Sequence, residues 1–255
     1  MQTKINNLSF SYRKTSPLVI DDLSLEIKEG EVTVLLGLNG CGKTTLIKLL
    51  AGLLKLSSGD IIYDNESLNN ISIRERSKKF SYVAQRNYTG NDTIVRDYLE
   101  YGFVNNLKFY QTPSKEHLEA VDKIAEKLHL EKLLDKPLGQ ISGGERQIVS
   151  VAVCLLQDTP IILLDEPTSA LDLANQNLLL STLKEIAKEG KTIILSSHNP
   201  NHALFLNSQV ALMDKGKIVS YGNAKDIIKP EILKTIYGDS ICYSEELGYK
   251  EISFK

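Results

Sequence analysis

One short segment constrains the fold of this chain more than any other: the sequence Gly-Leu-Asn-Gly-Cys-Gly-Lys-Thr at residues 37–44. An apolar run at 32–36 predicts a buried strand before it, and an apolar-periodic stretch at 43–54 predicts a helix after it. A turn of this spacing in this position is the pattern of a phosphate-binding loop, whose backbone N–H groups and helix dipole attract phosphate oxygens. The alternative is a Gly-rich turn that only caps the helix.

The motif assigns roles to two side chains of the loop. Lys43 would reach the β- and γ-phosphates of a bound nucleotide, and the Thr44 hydroxyl would be a ligand of Mg²⁺. The loop residues expected to contact the nucleotide are Gly37, Asn39, Gly40, Cys41, Gly42, Lys43, Thr44 and Thr45.

Two acidic residues, Asp165 and Glu166, follow a second apolar run at 161–164. In an open α/β sheet, ligands bind at the carboxyl ends of the strands. Because strand side chains alternate in direction, Asp165 can hold Mg²⁺ through water while Glu166 faces an attacking water. Alone, the strand could end in two solvated acids, but the phosphate loop favours the catalytic interpretation.

The remaining apolar pattern predicts an α/β fold with a mainly parallel sheet. Continuous apolar runs are typical of strands covered on both faces, and further runs of this kind lie at 81–84, 192–195 and 210–213. Helical patterns that alternate with the strands lie at 116–128, 145–156 and 176–188. An antiparallel flanking sheet is predicted from polar and apolar alternation at 5–12, 23–27 and 61–63.

The order of these patterns predicts the domain organisation. We expect residues 1–222 to form one domain, whose core comprises 1–90 and 157–222. A helical insertion with no convincing strand occupies about 91–156. Residues 223–255 are a C-terminal appendage with a break at Pro230 and no assigned role.

Composition limits the possible partners and location of the chain. Thirty basic and thirty-two acidic residues give a net charge of −2, which argues against a nucleic-acid partner held by a large basic surface. The longest apolar run, 151–156, is far shorter than the ~20 residues of a membrane span, and the N-terminus has no signal-peptide core. Three cysteines (Cys41, Cys154 and Cys242) suit a reducing compartment. We therefore expect a cytoplasmic chain that can dock on a membrane protein.

A third motif, Ser142-Gly143-Gly144-Glu145, precedes the helical pattern at 145–156. One interpretation is a capping box, in which Ser142 is the N-cap and Glu145 reaches back to it. Two glycines weaken a helix start, so they indicate a close approach of the backbone to something else. The second interpretation, compatible with the first, is another phosphate cradle at a helix N-terminus.

Together these motifs resemble those of the nucleotide-binding subunits of ABC transporters. Residues 141–147, Ile-Ser-Gly-Gly-Glu-Arg-Gln, resemble the family signature, with Ile and Glu as tolerated variants of Leu and Gln. The resemblance spans about residues 5–222, with the motifs in family order. It implies a P-loop NTPase (RecA-like) core, an antiparallel β-subdomain, an inserted α-helical signature subdomain, ATP hydrolysis, and the cofactors ATP and Mg²⁺.

The resemblance implies roles for further residues by matching position. Tyr12 would stack on the adenine ring, Gln85 would touch Mg²⁺ and sense the γ-phosphate, and His198 would contact the γ-phosphate and orient the water. Asp172 lies in the loop that communicates across the family dimer. The alternatives are a strand aromatic for Tyr12 and a structural histidine for His198. Glu166 and His198 are the expected catalytic pair.

The resemblance also implies an assembly. Two copies would pack head to tail, so that ATP on one phosphate loop meets Ser142, Gly143, Gly144 and Glu145 of the other chain. The helical insertion would carry a groove that receives a coupling helix from transmembrane permease subunits, and a substrate-binding protein would act indirectly. The expected location is peripheral, at the cytoplasmic face of the cell membrane.

Finer similarity points to a substrate class. Residues 112–114, 168–176 and 196–203 are similar to ATPases of importers for iron-siderophore, haem and cobalamin. Two departures are visible: the family's Gly-Arg-x-Pro is Gly-Phe-Val-Asn at 102–105, and Ile148 and Val153 replace common arginines. The predicted function is the ATP-hydrolysing subunit of such an importer. The open alternatives are a non-transport ABC ATPase, such as an iron–sulfur assembly factor, and an importer ATPase for another substrate class.

Overall fold

The computed structural model describes residues 2–85, 90–105, 107, 111–238, 241–246 and 249–254. Its strands are β1 (Thr3–Phe10), β2 (Ile20–Ile27), β3 (Val32–Leu36), β4 (Ser58–Tyr63), β5 (Glu66–Ser67), β6 (Phe80–Val83), β7 (Ile161–Leu164), β8 (Thr192–Ser197), β9 (Gln209–Asp214), β10 (Lys217–Asn223), β11 (Ile241–Glu246) and β12 (Tyr249–Phe254). Its helices are α1 (Lys43–Leu50), α2 (Ile73–Lys79), α3 (Val95–Glu100), α4 (Lys115–Lys127), α5 (Gly143–Leu156), α6 (Leu173–Lys188), α7 (Pro200–Leu206), α8 (Ala224–Ile227) and α9 (Pro230–Tyr237).

A six-stranded sheet in the order β10-β9-β3-β8-β7-β6 forms the centre of the molecule. Its strands are parallel except for β10, which runs antiparallel to β9. Alternate residues serve opposite faces: Val34 and Leu36 pack in one apolar core, while Leu35 packs in the other. Burial on both faces explains the continuous apolar runs, and the predicted mainly parallel α/β fold is confirmed.

The register of the central strands brings their carboxyl ends to one edge. Leu36 lies opposite Ser197, and Leu164 lies opposite Leu195. The segments that follow β3, β7 and β8 therefore start side by side. These are the phosphate loop, the two acids and His198, so the predicted meeting of the motifs follows from sheet geometry alone.

The N-terminal strands form a separate antiparallel sheet in the order β2-β1-β4-β5, as predicted. The alternation of buried residues along β1 changes phase at an irregularity between Ile5 and Leu8, and both of these residues are buried and pack with Leu46 and Ile47 of α1. This sheet therefore covers the face of the central sheet that carries α1, and it places the segment after Phe10 beside the phosphate loop.

Between β6 and β7 the described residues contain helices α3, α4 and α5 and 3₁₀ turns but no strand of the sheets, as predicted for a helical insertion. Gly102 lies so close to α5 that a Cβ there would stand 2.6 Å from the Cβ of Leu156. Ile148 is buried in the same core, and Val153 packs against it. The two apolar residues that depart from the family resemblance, Ile148 and Val153, thus serve helix packing.

The C-terminal part begins with α8 and α9 and continues into a hairpin of β11 and β12. Pro230 is the first residue of α9 rather than a break, because the fixed backbone angle of proline suits the first helical turn. Cys41 and Cys154 are buried free thiols, while the side chain of Cys242 lies outside the described residues. Within the described residues, no helix is both long and apolar enough to span a bilayer.

Candidate active site

The phosphate loop joins β3 to α1 and borders a cavity of about 390 Å³. Gly40 and Gly42 have φ values of +82° and +110°, a region that favours glycine. A Cβ on Gly37 would collide with the carbonyl oxygen of Met213. Helix α1 has no side-chain cap at its N-terminus, so its first N–H groups are left for a ligand. Beside the loop, Val19 also lines the cavity.

Lys43 lies across the loop and is only 5% exposed. Its Nζ donates to the carbonyl oxygens of Gly37 at 2.8 Å and Leu38 at 3.1 Å, and it lies 3.9 Å from Glu166 Oε1. These contacts hold a positive charge at the floor of the cavity, where a phosphate can replace the carbonyl oxygens as its partner.

Asp165 is buried immediately after β7. Its Oδ1 accepts hydrogen bonds from Thr44 Oγ1 at 2.9 Å and Ser196 Oγ at 2.8 Å. Its Oδ2 is buried without a hydrogen-bond partner. An unsatisfied carboxylate oxygen beside the Thr44 hydroxyl fits a bound cation, because oxygen ligands are what Mg²⁺ prefers. Among the described residues no group of three or more His, Cys, Asp or Glu side chains is arranged to hold a metal ion.

Glu166 has a strained backbone, with φ at +46° in the left-handed region. Its N–H donates to Ser196 Oγ at 2.8 Å, and its carbonyl oxygen accepts from Ser169 Oγ at 3.0 Å. The carboxylate accepts from Gln85 Nε2 at 3.0 Å and lies 3.8 Å from His198 Nδ1. The turn thus sends Asp165 into the core and Glu166 to the cavity.

Ser196 was not predicted as a site residue, although it links both acids. Its hydroxyl donates to Asp165 and accepts from the N–H of Glu166. The available signal was two serines that end an otherwise apolar strand, since a buried hydroxyl requires a polar partner.

Tyr12 is 56% exposed beside the cavity. Its hydroxyl lies 3.0 Å from Thr45 Oγ1, and its ring meets Phe10 edge to face, with the centroids 5.1 Å apart. These two contacts hold the ring in place while leaving much of its surface open. An open aromatic surface next to a phosphate loop suits a nucleobase.

Cys41 contributes to the loop in a different way from its neighbours. Its side chain is 6% exposed and packs in the apolar core, where its sulfur lies next to Gly37. Burial raises the pKa of its thiol. The carbonyl oxygen of Cys41 accepts from the N–H of Gly216 at 2.9 Å. The thiol therefore fixes the shape of the loop from behind.

The predicted capping box at the start of α5 is present. Glu145 N donates to Ser142 Oγ at 3.2 Å, and Ser142 N donates to Glu145 Oε2 at 2.6 Å. The hydrogen bonds from the Ser142 backbone and side chain lower the pKa of Glu145. Gly143 faces open space, whereas a Cβ on Gly144 would stand 2.9 Å from the carbonyl oxygen of Ala170. The close approach predicted from the two glycines is thus made at Gly144, to the loop after β7.

The structure does not bring every predicted residue to one place. The cavity is lined by members of the loop together with Gln85 and Glu166, but not by residues 142–145. Asp172 caps α6 by accepting from Asn175 N at 2.8 Å and does not line that cavity either. Nucleotide contacts of the 142–145 segment and of Asp172 stay predictions.

Comparison with known proteins identifies a family of ATP-binding proteins, which agrees with the phosphate loop described above. The family model described as ABC transporter matches residues 20–169. The ferric enterobactin transport ATP-binding protein of Escherichia coli is 34% identical over 232 residues, which cover 91% of this chain and 85% of that protein.

Solved structures are similar over most of the chain. An inward-facing metal-chelate type ABC transporter matches with a TM-score of 0.81 and 26% identity, covering 99% of this chain and 96% of that one. A dimeric ATP-binding cassette bound to ADP and phosphate matches with a TM-score of 0.78 and 25% identity, covering 87% and 98%.

Proposed function

The chain belongs to the ABC transporter family, and from that membership we propose that it powers the import of an iron-siderophore, haem, cobalamin or similar metal chelate. The chain is an ATP-binding cassette with ATPase activity. The observation that carries the hydrolytic part of this function is the cluster of Lys43, Asp165, Glu166 and His198 at one edge of the central sheet. The relative named for ferric enterobactin transport supports the substrate class.

The residues at this edge can carry out hydrolysis by positioning and electrostatics. Lys43 offsets negative charge on the terminal phosphate, which is where charge spreads during phosphoryl transfer. Glu166 accepts or steers a proton of the attacking water, and His198, 3.8 Å from that carboxylate, holds the geometry. The Ser196 hydroxyl holds both residues in place, because it lies 2.8 Å from Asp165 Oδ1 and 2.8 Å from the backbone nitrogen of Glu166. The two carboxylates can therefore point in different directions.

Mg²⁺ is the cation that these residues fit. Thr44, Gln85 and Asp165 would hold it, and the unsatisfied Oδ2 of Asp165 supports this proposal. When bound, it supplies charge neutralisation to the phosphates. Removal of Mg²⁺ with a chelator should therefore stop hydrolysis.

The active assembly is a head-to-tail pair of identical chains. Residues 142–145 lie outside the cavity of their own chain, and Ser142 and Gly143 are exposed. A second copy can therefore place its Ser142, Gly143, Gly144 and Glu145 against the nucleotide, with Asp172 beside the joint. The dimeric relative bound to ADP and phosphate supports this arrangement.

The pair of cassettes acts at a membrane. The helical part at about 91–156 receives a helix of the transmembrane permease subunits. The core comprises 1–90 and 157–222, followed by an appendage at 223–255. A substrate-binding protein delivers the chelate to the permease. The chain itself is peripheral, on the cytoplasmic face. Closure of the pair on ATP and its opening after hydrolysis would bias the permease between two states.

The test is chelate uptake in the source cell, with the chromosomal copy replaced by Glu166→Gln. Uptake of radiolabelled ferric siderophore, haem and cobalamin should each be measured, and at least one should fall to the level of a deletion strain. Glu189→Gln, an exposed glutamate at the end of α6, is the matched control and should leave uptake unchanged.

Two outcomes would contradict the importer assignment. Normal uptake of all three chelates with loss of another nutrient would place the chain in an importer of a different class. Normal uptake of every nutrient, with the chain co-purifying with a soluble scaffold rather than with a permease, would support a non-transport ATPase.

A further inference from the structure

His202 is a buried titratable group that the hydrolysis mechanism does not use. It lies in the first turn of α7 and is 7% exposed, four residues after His198. Its Nδ1 lies 3.0 Å from the Oγ atom of Ser197, which precedes His198. Its Nε2 lies 3.4 Å from the Nδ2 atom of Asn199, which follows His198. One imidazole thus contacts both neighbours of the catalytic histidine.

The same ring contacts the side-chain amide of Gln176, which in turn donates to the 168–172 loop. His202 Nε2 lies 3.4 Å from Gln176 Oε1, and Gln176 Nε2 donates to the carbonyl oxygens of Leu171 at 2.9 Å and Thr168 at 3.4 Å. These carbonyls belong to the 168–172 loop, which follows the Glu166 turn. Gly144 of the 142–145 segment packs on this loop at Ala170.

The ring is neutral, so its two nitrogens have different roles. Burial, with a contribution from His198, lowers the pKa of His202 to about 4. With the proton on Nε2, the ring donates to Gln176 and accepts from the Ser197 hydroxyl, and its contact with Asn199 Nδ2 is then not a hydrogen bond because both groups are donors. With the proton on Nδ1, it donates to Ser197 and accepts from Asn199, which leaves Gln176 without it. Only the first tautomer links the segment of His198 to the 168–172 loop.

We propose that His202 is a positioning residue, which couples the segment that carries His198 to the 168–172 loop and, through that loop, to the 142–145 segment. The coupling rests on the proposed ATPase site. When a γ-phosphate draws His198 inward, the hydrogen bonds through His202 and Gln176 shift the loop on which the 142–145 segment packs. One chain thereby reports the state of its own nucleotide on the surface that meets the second copy.

The first test separates this role from a merely structural one. His202→Ala should lower kcat for ATP by about 10- to 100-fold, the cost of misplacing a catalytic group from outside the site. The KM for ATP should stay unchanged, because the phosphate loop is intact. His202→Gln keeps a donor and an acceptor and should restore most of kcat. Ser208→Ala is the matched control, because its buried hydroxyl donates to α7 at the carbonyl oxygen of Ala203.

The second test reads the coupling without hydrolysis. Hydrogen exchange at the amides of residues 168–172 should quicken in His202→Ala and in Gln176→Ala, but not in Ser208→Ala. In kcat, the double variant His202→Ala/Gln176→Ala should be no slower than the slower single variant, since both changes remove one link.

Three results would overturn the proposal. They are a His202→Ala chain with normal kcat, exchange at 168–172 that is unchanged, and single-variant losses that multiply in the double variant. A parent chain that hydrolyses no ATP would instead refute the proposed function, while the exchange measurement would still test the coupling.

Discussion

The helices α1 and α5 both begin at glycine-rich segments, but only α5 has an N-terminus that is capped by a side chain. The α1 terminus has Gly42 as its N-cap, no side-chain cap and a buried lysine behind it. The α5 terminus is closed by Ser142 and carries an ionised Glu145 in its first turn. The open, positively charged terminus can hold a phosphate within its own chain. The α5 terminus is closed by its own side chains, and we propose that it meets the phosphate of another chain.

The largest expected effect isolates the α1 side of this comparison. Glu166→Gln removes the carboxylate that handles the proton of the attacking water, so we expect hydrolysis to fall by about 10²- to 10⁴-fold. ATP binding should survive, because Lys43, the loop amides and Asp165 remain. Phosphate release and ATP affinity measured on the same preparation check both statements. Hydrolysis near the parent rate would show that Glu166 is not the base.

The next effect concerns the buried His202, which contacts the neighbours of His198. The pKa of His202 is lowered to about 4, so between about pH 6.5 and 4 only the unfolded chain takes up this proton. Stability should therefore fall as the pH drops through that range, by about 3 kcal/mol from this group. Urea unfolding at pH 7 and pH 4.5 measures it.

His202→Gln should lose less stability than the parent over the same interval. His129→Asn removes an exposed histidine from a left-handed position that asparagine tolerates, so it should behave like the parent. Equal losses in all three chains would show that another group takes up the proton.

A smaller effect tests the aromatic side chain of Tyr12, which contacts Thr45 of the α1 cavity without lining it. Tyr12→Ala should weaken ATP binding by about 1–3 kcal/mol, because it removes a stacking surface for the base. GTP affinity should fall similarly, since stacking barely distinguishes purines. Tyr101, which is 53% exposed against 56% for Tyr12, provides a matched Tyr101→Ala control. Unchanged nucleotide affinity would remove Tyr12 from the site.

The smallest effect compares the α5 terminus with a capping box that has no proposed function. Ser142→Ala and Ser72→Ala each break a serine–glutamate capping box, so each should cost about 1 kcal/mol of stability. Only Ser142→Ala should also slow hydrolysis. If both variants hydrolyse ATP like the parent, the Ser142 hydroxyl serves the helix alone.

The sequence was most informative where the chemistry depends on neighbours along the chain. The phosphate loop, the two acids after β7 and the capping box are each local patterns, and the register of a parallel sheet brings the first two together. Ser196 and His202 could not be assigned in this way. Their roles depend on Asp165 and Gln176, which are distant in sequence, and a buried serine or histidine has no periodic signal.

The elements that the sequence did not predict have physical reasons for being missed. Helix α2 has no buried residue and so lacks an apolar stripe, although its capping box of Ser72 and Glu75 was a readable start signal. Helix α7 is two turns long and begins with Pro200, which reads as a break. Strand β10 is half exposed at the sheet edge, so it has no continuous apolar run.

The central claim, that the α1 site is completed by the 142–145 segment of a second copy, is tested most directly by light scattering of purified Glu166→Gln. With ATP and Mg²⁺ this variant should form a dimer, which should disappear when ADP replaces ATP. Adding Ser142→Arg fills the space for the γ-phosphate of the other chain with a long side chain, and this steric obstruction should abolish the dimer while each chain still binds ATP. A dimer that persists in the double variant, or a monomer in every nucleotide state, would contradict the claim.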